Sequence, residues 1–327
     1  MRANTITPLL CSCIVALSQA TPAIATQGLD GQLRHHARAL GGLHRRIATL
    51  ARRASGDGSP NTTLAETARM SLLVSQRASW EQGTAQAALT EYDAGEWSVF
   101  AGRGAPYRSG QKEDMDSYGK PPMAVLSMAY HSVGAQDSAG KLCSSISGDE
   151  NVTAGSAADS ASCGESVLMG AFVDGQVNAT SGFWIGAARR QLRYLLQRAP
   201  RLPSGAISHR ASQQALWSDA VYMMPPYLAA FGLYTSNQTL LQMAYDQCRL
   251  YRDGLRLPDG PGQGLWGHIA EVESGSDELQ FSDASAWATG EGWAAAGMLR
   301  TLAAISQSSY SQQMADQKND LVSWTRE

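Results

Sequence analysis

The sequence predicts an all-α protein assembled from helical hairpins. Apolar residues recur at helical spacing in successive stretches, and runs of alternating β-branched residues are scarce. An internal echo adds a third observation. Asp116 precedes Pro121-Pro122 and a short apolar stretch closed by Gly134; Asp219 precedes Pro225-Pro226 and an apolar stretch closed by Gly232. Proline suits a helix start, where its missing N–H costs nothing. Hairpins with repeated punctuation suggest an array closed into a toroid or stacked as a solenoid. The chain has 327 residues, 43% of them hydrophobic and 17% charged, which allows one large domain or two and excludes wholesale disorder. A net charge of -3 gives no global electrostatic reason to bind nucleic acid or an anionic membrane.

The N-terminus reads as an address. Met1-Arg2 and the apolar run around Pro8–Leu17 are followed by Ala23-Ile24-Ala25, an A-x-A-like cleavage site. Residues 1–25 are therefore expected to be a secretory signal peptide; the run is too short to span a bilayer, and no later stretch is apolar enough to do so. Residues 26–60 form a basic amphipathic segment and a linker, with Leu33, Leu40, Leu43, Ile47 and Leu50 at helical spacing among arginines and a break at Gly56, Gly58 and Pro60. Such a segment either packs one face on the body or meets an anionic surface. The remainder, 61–327, is expected to be one helical domain.

Within it, Thr63-x-x-Glu66 has the form of a capping box ahead of Met70, Leu72, Leu73 and Val74. Helical patterns follow over about 79–92, 121–133, 183–198, 225–231, 238–253, 291–305 and 309–325. Ser236 or Asn237 caps the helix that begins at 238. Export would place the chain in an oxidising compartment. Cys143 and Cys163 flank a Ser/Gly/Ala-rich stretch and are expected to close it as a disulfide, whereas Cys248 lies in an apolar-periodic helix as a buried thiol. Sequons at Asn61, Asn151, Asn178 and Asn237 suggest a secreted glycoprotein.

Four stretches carry candidate chemistry. In Leu216-Trp217-Ser218-Asp219-Ala220-Val221-Tyr222-Met223, an acid stands among aromatics just before a helix start. Apolar surroundings raise a carboxyl pKa, so Asp219 could serve as a general acid; the alternative is a helix cap. Gly205-Ala206-Ile207-Ser208-His209-Arg210 could hold a polyhydroxylated or anionic ligand, or be a solvated connector. Gly264-Leu265-Trp266-Gly267-His268 has the composition of a sugar platform, where a pyranose face stacks on an aromatic ring. Trp287-Ala288-Thr289-Gly290-Glu291-Gly292-Trp293 opens a small-residue helix, and Glu291 there also has the plain reading of a charge favoured by the helix dipole. Upstream, Trp80, Glu81 and Asp116 add an aromatic and two carboxylates. Acids, tryptophans and histidines on separate helical loops fit a carbohydrate cleft. No G-x-S-x-G elbow, phosphate loop or metal-ligand spacing is present.

The order of these motifs resembles the unsaturated glucuronyl and rhamnogalacturonyl hydrolases, glycoside hydrolase families 88 and 105 of the six-hairpin glycosidases. The likeness is greatest to the rhamnogalacturonyl branch found in secreted fungal proteins. It rests on Asp116-Ser117-Tyr118-Gly119, Gly205–His209, Leu216–Met223, Leu265–His268 and Trp287–Trp293, in the family's order from about residue 62 onward. The resemblance implies an (α/α)6 toroid with its cleft at one end. It implies an oligosaccharide substrate bearing a terminal 4,5-unsaturated uronic acid, as left on pectin by a lyase. By this likeness Asp219 is the acid/base that protonates C4 and activates the water adding at C5, and Asp116 assists. His209, Trp217, Met223, His268, Trp287, Thr289 and Trp293 would line the sugar site. No metal, organic cofactor, nucleic acid or membrane partner is implied, and the chain would act as a monomer.

Two departures bear on specificity. Family members often carry Arg where this chain has Thr289, and Asn where it has Glu291. Losing a cation and gaining an acid should weaken binding of an anionic sugar unless His209 or Arg210 compensates. Six hairpins also need twelve helices, so about 300 mature residues look short of a closed toroid. A six-hairpin hydrolase of different sugar specificity, and an inactive carbohydrate-binding protein, are therefore the competing expectations.

Overall fold

The computed structural model describes residues 62–101, 119–143, 155–177, 182–260, 262–273 and 275–327. Residues 1–25, expected to be a signal peptide, the segment 26–60, Asp116 and the sequon asparagines 61, 151 and 178 lie outside the described residues. The chain divides into two compact units, 1–76 and 77–327. In the first, α1 spans Thr62–Ser75. It starts one residue before the capping box read from the sequence, so Thr63 lies inside the helix, where its carbonyl accepts from Thr67 Oγ1 at 2.8 Å.

The second unit is helical, as expected, with a small antiparallel sheet added. Its helices are α2 (Ser79–Asp93), α3 (Met123–Gly134), α4 (Gly164–Val177), α5 (Phe183–Gln197), α6 (Ala220–Met223), α7 (Pro225–Tyr234), α8 (Gln238–Leu255), α9 (Ala288–Gln307) and α10 (Ala315–Arg326). Glu81, a candidate cleft acid by sequence, instead folds back to cap α2: its Oε2 accepts from the backbone N–H groups of Arg77 and of Ala78, the latter at 3.0 Å. Pro122 sits at the N-cap of α3, and Pro225-Pro226 open α7. Asn237 caps α8, its Oδ1 accepting from Leu240 N–H at 3.3 Å.

The helices pair as α2 with α3, α4 with α5, α7 with α8, and α9 with α10. α7 is apolar on every side and buried along its length, so it packs against α8, α9 and α4 at once. Amphipathic α8 turns Leu241, Ala244, Cys248, Tyr251 and Leu255 inward. Buried phenols find carbonyls: Tyr227 Oη donates to Ala188 O at 2.5 Å and Tyr251 Oη to Ile207 O at 2.6 Å. α4 and the short α6 are the helices that the sequence reading left out, and α4 is the longer of the two. Two of its glycines look like breaks but are packing sites: a Cβ at Gly164 would overlap the Tyr227 ring, and one at Gly170 the Trp184 ring.

Cys143, Cys163 and Cys248 are all buried free thiols. This corrects the expected Cys143–Cys163 disulfide, although the two thiols are neighbours. The Cys143 thiol is pushed far above its ordinary range, first by hydrogen bonding with Cys163 and then by burial.

Three short strands complete the unit: β1 (Ala215–Trp217), β2 (Ile269–Val272) and β3 (Leu279–Asp283), antiparallel in that order. Trp217 pairs with Ile269, and Ile269 with Asp283. The register shifts between Ile269 and Ala270. The sheet thus carries Trp217, His268 and Asp283 to one place.

Candidate active site

Several short elements start at this place. Asp219 immediately precedes α6, Thr289 lies in the first turn of α9, and a 3-10 turn over Asp159–Cys163 begins with Asp159. The β1–α6 connection is pinned to the segment before β2 by Ser218 N–H donating to His268 O at 3.0 Å. Glycine makes the remaining approach possible: a Cβ at Gly290 would overlap Ser218 Oγ, and one at Gly267 would overlap the Phe281 ring of β3.

Asp219 makes no capping hydrogen bond to α6, so the helix-cap alternative is not what its side chain does. Its Oδ2 stands 3.5 Å from His268 Nε2, with both side chains 19% exposed. The other ring nitrogen, Nδ1, lies 2.9 Å from Asp283 Oδ2. His268 therefore bridges two carboxylates. Burial pulls its pKa down, but hydrogen bonding and charge from Asp219 and Asp283 outweigh that and leave it raised. Asp283 is held below its ordinary value, chiefly by the Ser285 hydroxyl.

Aromatic rings line up beside this bridge. His209 stacks on Trp217 with centroids 4.7 Å apart, Trp217 meets His268 edge-on at 5.6 Å, and His268 lies 4.6 Å from Trp287. Arg210 sits over the Trp217 ring at 5.7 Å. His209 is buried, not part of a solvated connector, and burial lowers its pKa and keeps the ring neutral. Its Nε2 is 3.8 Å from Asp159 Oδ1.

Asp159 is the functional candidate that the sequence reading missed. Its carboxyl is buried, raised first by desolvation, and coupled electrostatically to His209 and Asp219. It hides in Ser156–Cys163, a run of small residues that reads as loop; the one signal is a single acid in an otherwise uncharged stretch. Asp283 was missed too, although Asp-x-Ser is a turn signature, and here Oδ1 takes Ser285 N–H at 3.0 Å and its hydroxyl at 2.6 Å.

The structure thus brings together His209, Trp217, Asp219, His268, Trp287 and Thr289. Met223 and Trp293 lie four residues beyond Asp219 and Thr289, one helical turn below. Met223 is in the core, 2% exposed, and so lines the interior instead of an open wall. Trp293, 7% exposed, packs edge-on to Trp80 at 6.5 Å and against Tyr222 at 4.8 Å. Both support the site from beneath. Glu291 is also structural: Oε1 accepts from Trp266 N–H at 2.7 Å, bracing the start of α9 on the loop that bears His268. Burial raises its pKa, opposed by that hydrogen bond.

Five buried polar atoms converge here without a hydrogen-bond partner among the described residues: His209 Nδ1, Trp217 Nε1, Ser218 Oγ, Asp219 Oδ2 and Thr289 Oγ1. Unsatisfied buried polar groups are costly, and such a cluster between aromatic walls is what a polyhydroxylated ligand would satisfy. Among the described residues no three His, Cys, Asp or Glu side chains gather to hold a metal ion, and no helix is long and apolar enough to cross a membrane.

Comparison with known proteins bears on this arrangement. No curated protein matches the chain. One similar solved structure is a glycoside hydrolase from family 105 of C. acetobutylicum ATCC 824, at 12% identity and a TM-score of 0.46. The match covers 77% of this chain and 61% of that protein, so the chain spans less than two thirds of its length. The model of Glycosyl Hydrolase Family 88 matches residues 146–323, which hold Asp159, His209, Trp217, Asp219, His268, Asp283, Trp287 and Thr289. With more than half of its length and every described site residue inside that match, the chain belongs to glycosyl hydrolase family 88.

Proposed function

We propose that the chain hydrolyses oligosaccharides ending in a 4,5-unsaturated uronic acid, by hydrating the double bond, with pectin-derived rhamnogalacturonan fragments as substrates. The observation that carries this reading is the buried Asp219 Oδ2, which makes no close hydrogen bond and stands within ion-pair reach of His268, a ring that itself packs on Trp217 and Trp287. Protonated Asp219 gives its proton to C4. The carboxylate then takes a proton from the water that adds at C5. The product is a hemiketal, which opens and releases the leaving sugar, and Asp219 ends protonated as it began. The tryptophan faces and the cluster of unsatisfied polar atoms would bind the ring and its hydroxyls.

The substrate's carboxylate needs a cation, and Thr289 cannot supply one. Arg210, over Trp217, is the candidate; burial lowers the His209 pKa and so disfavours a positive charge there. The missing Arg favours a second reading, a six-hairpin hydrolase for a less strongly charged sugar. Unsaturated rhamnogalacturonan disaccharide decides between them. The first reading predicts loss of the double bond's ultraviolet absorbance with the wild-type chain, and none with Asp219→Asn in a folded protein. Turnover of neutral oligosaccharides alone would establish the second.

A further inference from the structure

Asp283 enters neither the functional reading above nor the motifs read from the sequence, yet its geometry is tightly specified. The β2–β3 register sets it opposite Ile269, the residue after His268. Its two oxygens have separate tasks. Oδ1 is clamped by the Ser285 N–H and hydroxyl, which leaves Oδ2 aimed at His268 Nδ1 at 2.9 Å. On the far side of the same ring, Nε2 faces Asp219 Oδ2 at 3.5 Å, an oxygen with no closer hydrogen bond. That distance is long for a hydrogen bond, but catalytic contacts of this kind tighten when substrate closes the site. The rings of Trp217 and Trp287 pack on His268, so it cannot turn away easily.

A carboxylate that accepts a proton from one imidazole nitrogen fixes which tautomer is present, and so decides what the other nitrogen can do. With Nδ1–H committed to Asp283, Nε2 carries the lone pair toward Asp219. We propose that Asp283 is a positioning residue for the hydration reaction: it holds His268 in the Nδ1–H tautomer, so that Asp219 and His268 share a single proton along the Oδ2–Nε2 line. This rests on the functional reading above. When the shared proton leaves for C4, Asp219 is a carboxylate and His268 a neutral ring with Nε2 free. When water adds at C5, the proton it loses returns to the same pair. No proton passes to Asp283. Ser285, in turn, orients Asp283.

The titratable groups facing His268 are Asp219 from the start of α6, Asp283 from β3 and His209 from the loop before β1. Asp159 and Arg210 act one step further away, through His209 and Asp219. A change at Asp283 alone should therefore be legible in the titration of His268.

The test uses the full chain, wild type and Asp283→Ala, with folding checked by circular dichroism. If Asp283→Ala does not fold, Asp283→Asn is read in the same way. Nitrogen-15 spectra of the histidines give the His268 tautomer without substrate. The proposal expects Nδ1–H in the neutral wild-type ring and a shift toward Nε2–H in the variant. It also expects kcat on unsaturated disaccharide to fall by about 100-fold, with KM changed less than about threefold. The limb of the kcat/KM profile set by His268 should move to lower pH. Ser285→Ala, which keeps the carboxylate but loosens it, should lose only about fivefold in kcat. An Nε2–H tautomer in wild type overturns the proposal whatever the activity. An active wild type with kcat in Asp283→Ala within about threefold overturns it as well. A wild type that leaves unsaturated uronides untouched overturns the functional reading and Asp283's part in it, while the spectra still report which nitrogen Asp283 holds.

Discussion

His268 sets the charge balance of the site, and its surroundings predict how stability depends on pH. Its folded pKa lies above the ordinary 6.5 because Asp219 and Asp283 outweigh burial. The cationic ring is then favoured in the folded state, so its stabilisation is fully present below 6.5 and fades as pH rises through the folded value. His209 behaves oppositely: burial lowers its pKa, so its contribution is present above 6.5 and is lost as pH falls through the folded value. Melting temperatures of wild type and His268→Gln should therefore differ most below 6.5 and converge as pH rises. A gap that stays constant with pH would show that His268 is not held in the raised state. At this scale the sequence was informative about residue type and less so about role. Trp217 and Asp219 stood out as an aromatic and an acid just before a helix start, and His268 and Trp287 as a histidine and an aromatic in glycine-containing stretches. Glu81 and Glu291 stood out equally, yet one caps α2 and the other braces Trp266 N–H. The first contact is local, three to four residues along the chain, whereas the second is set by tertiary approach, which residue type does not encode.

Helix packing positions Asp219. A Cβ at Gly297, on α9, would overlap the carbonyl of Val221, on α6, so the two helices meet backbone to backbone. Gly297→Ala must push α9 away from the element that follows Asp219. Relaxation of such overpacking costs about 1–3 kcal/mol. Denaturant unfolding should show that loss, and kcat should fall although Gly297 touches no candidate site residue. Unchanged stability and activity would mean that the approach is not needed. Long amphipathic helices were legible: the patterns over 183–198 and 238–253 became Phe183–Gln197 and Gln238–Leu255. α4 was not, because residues 166–172 are buried on every side and leave no polar stripe to give a period, and Gly164 and Gly170 serve packing, not breaks. The strands, three to five residues each, are too short for alternation to register. That gap concealed Asp283, since only the sheet brings it to His268.

Across the whole helical unit, one buried ionic cluster ties distant segments together. Arg300 of α9 pairs with Glu165 of α4 through Nε at 3.2 Å and Nη2 at 2.8 Å, and with Glu91 of α2 through Nη1. Its guanidinium faces the rings of Phe100 and Tyr222. Burial raises the Glu91 pKa, Arg300 opposes that rise, and the neighbouring Glu165 charge adds to it. Removing the cation would strand both acids: Arg300→Ala should cost about 3–5 kcal/mol in denaturant unfolding. Glu91→Gln, which relieves the repulsion between the two acids, should cost far less. Equal losses would mean that the cluster acts through packing alone. Glu165 and Arg300 also line a narrow interior cavity with Met223 and Tyr222, one turn beyond Asp219, so the cluster ties the floor of the site to three helices. None of this was visible in the sequence, where Glu91, Glu165 and Arg300 are up to 209 positions apart.

The central claim is that Asp219 delivers a proton to C4 of an unsaturated uronide. The most direct measurement is the reaction in D2O, followed by proton NMR of the released sugar acid. The account predicts deuterium at C4 in the wild-type product, and no product from a folded Asp219→Asn chain. Product without deuterium at C4, or turnover retained by Asp219→Asn, would contradict it.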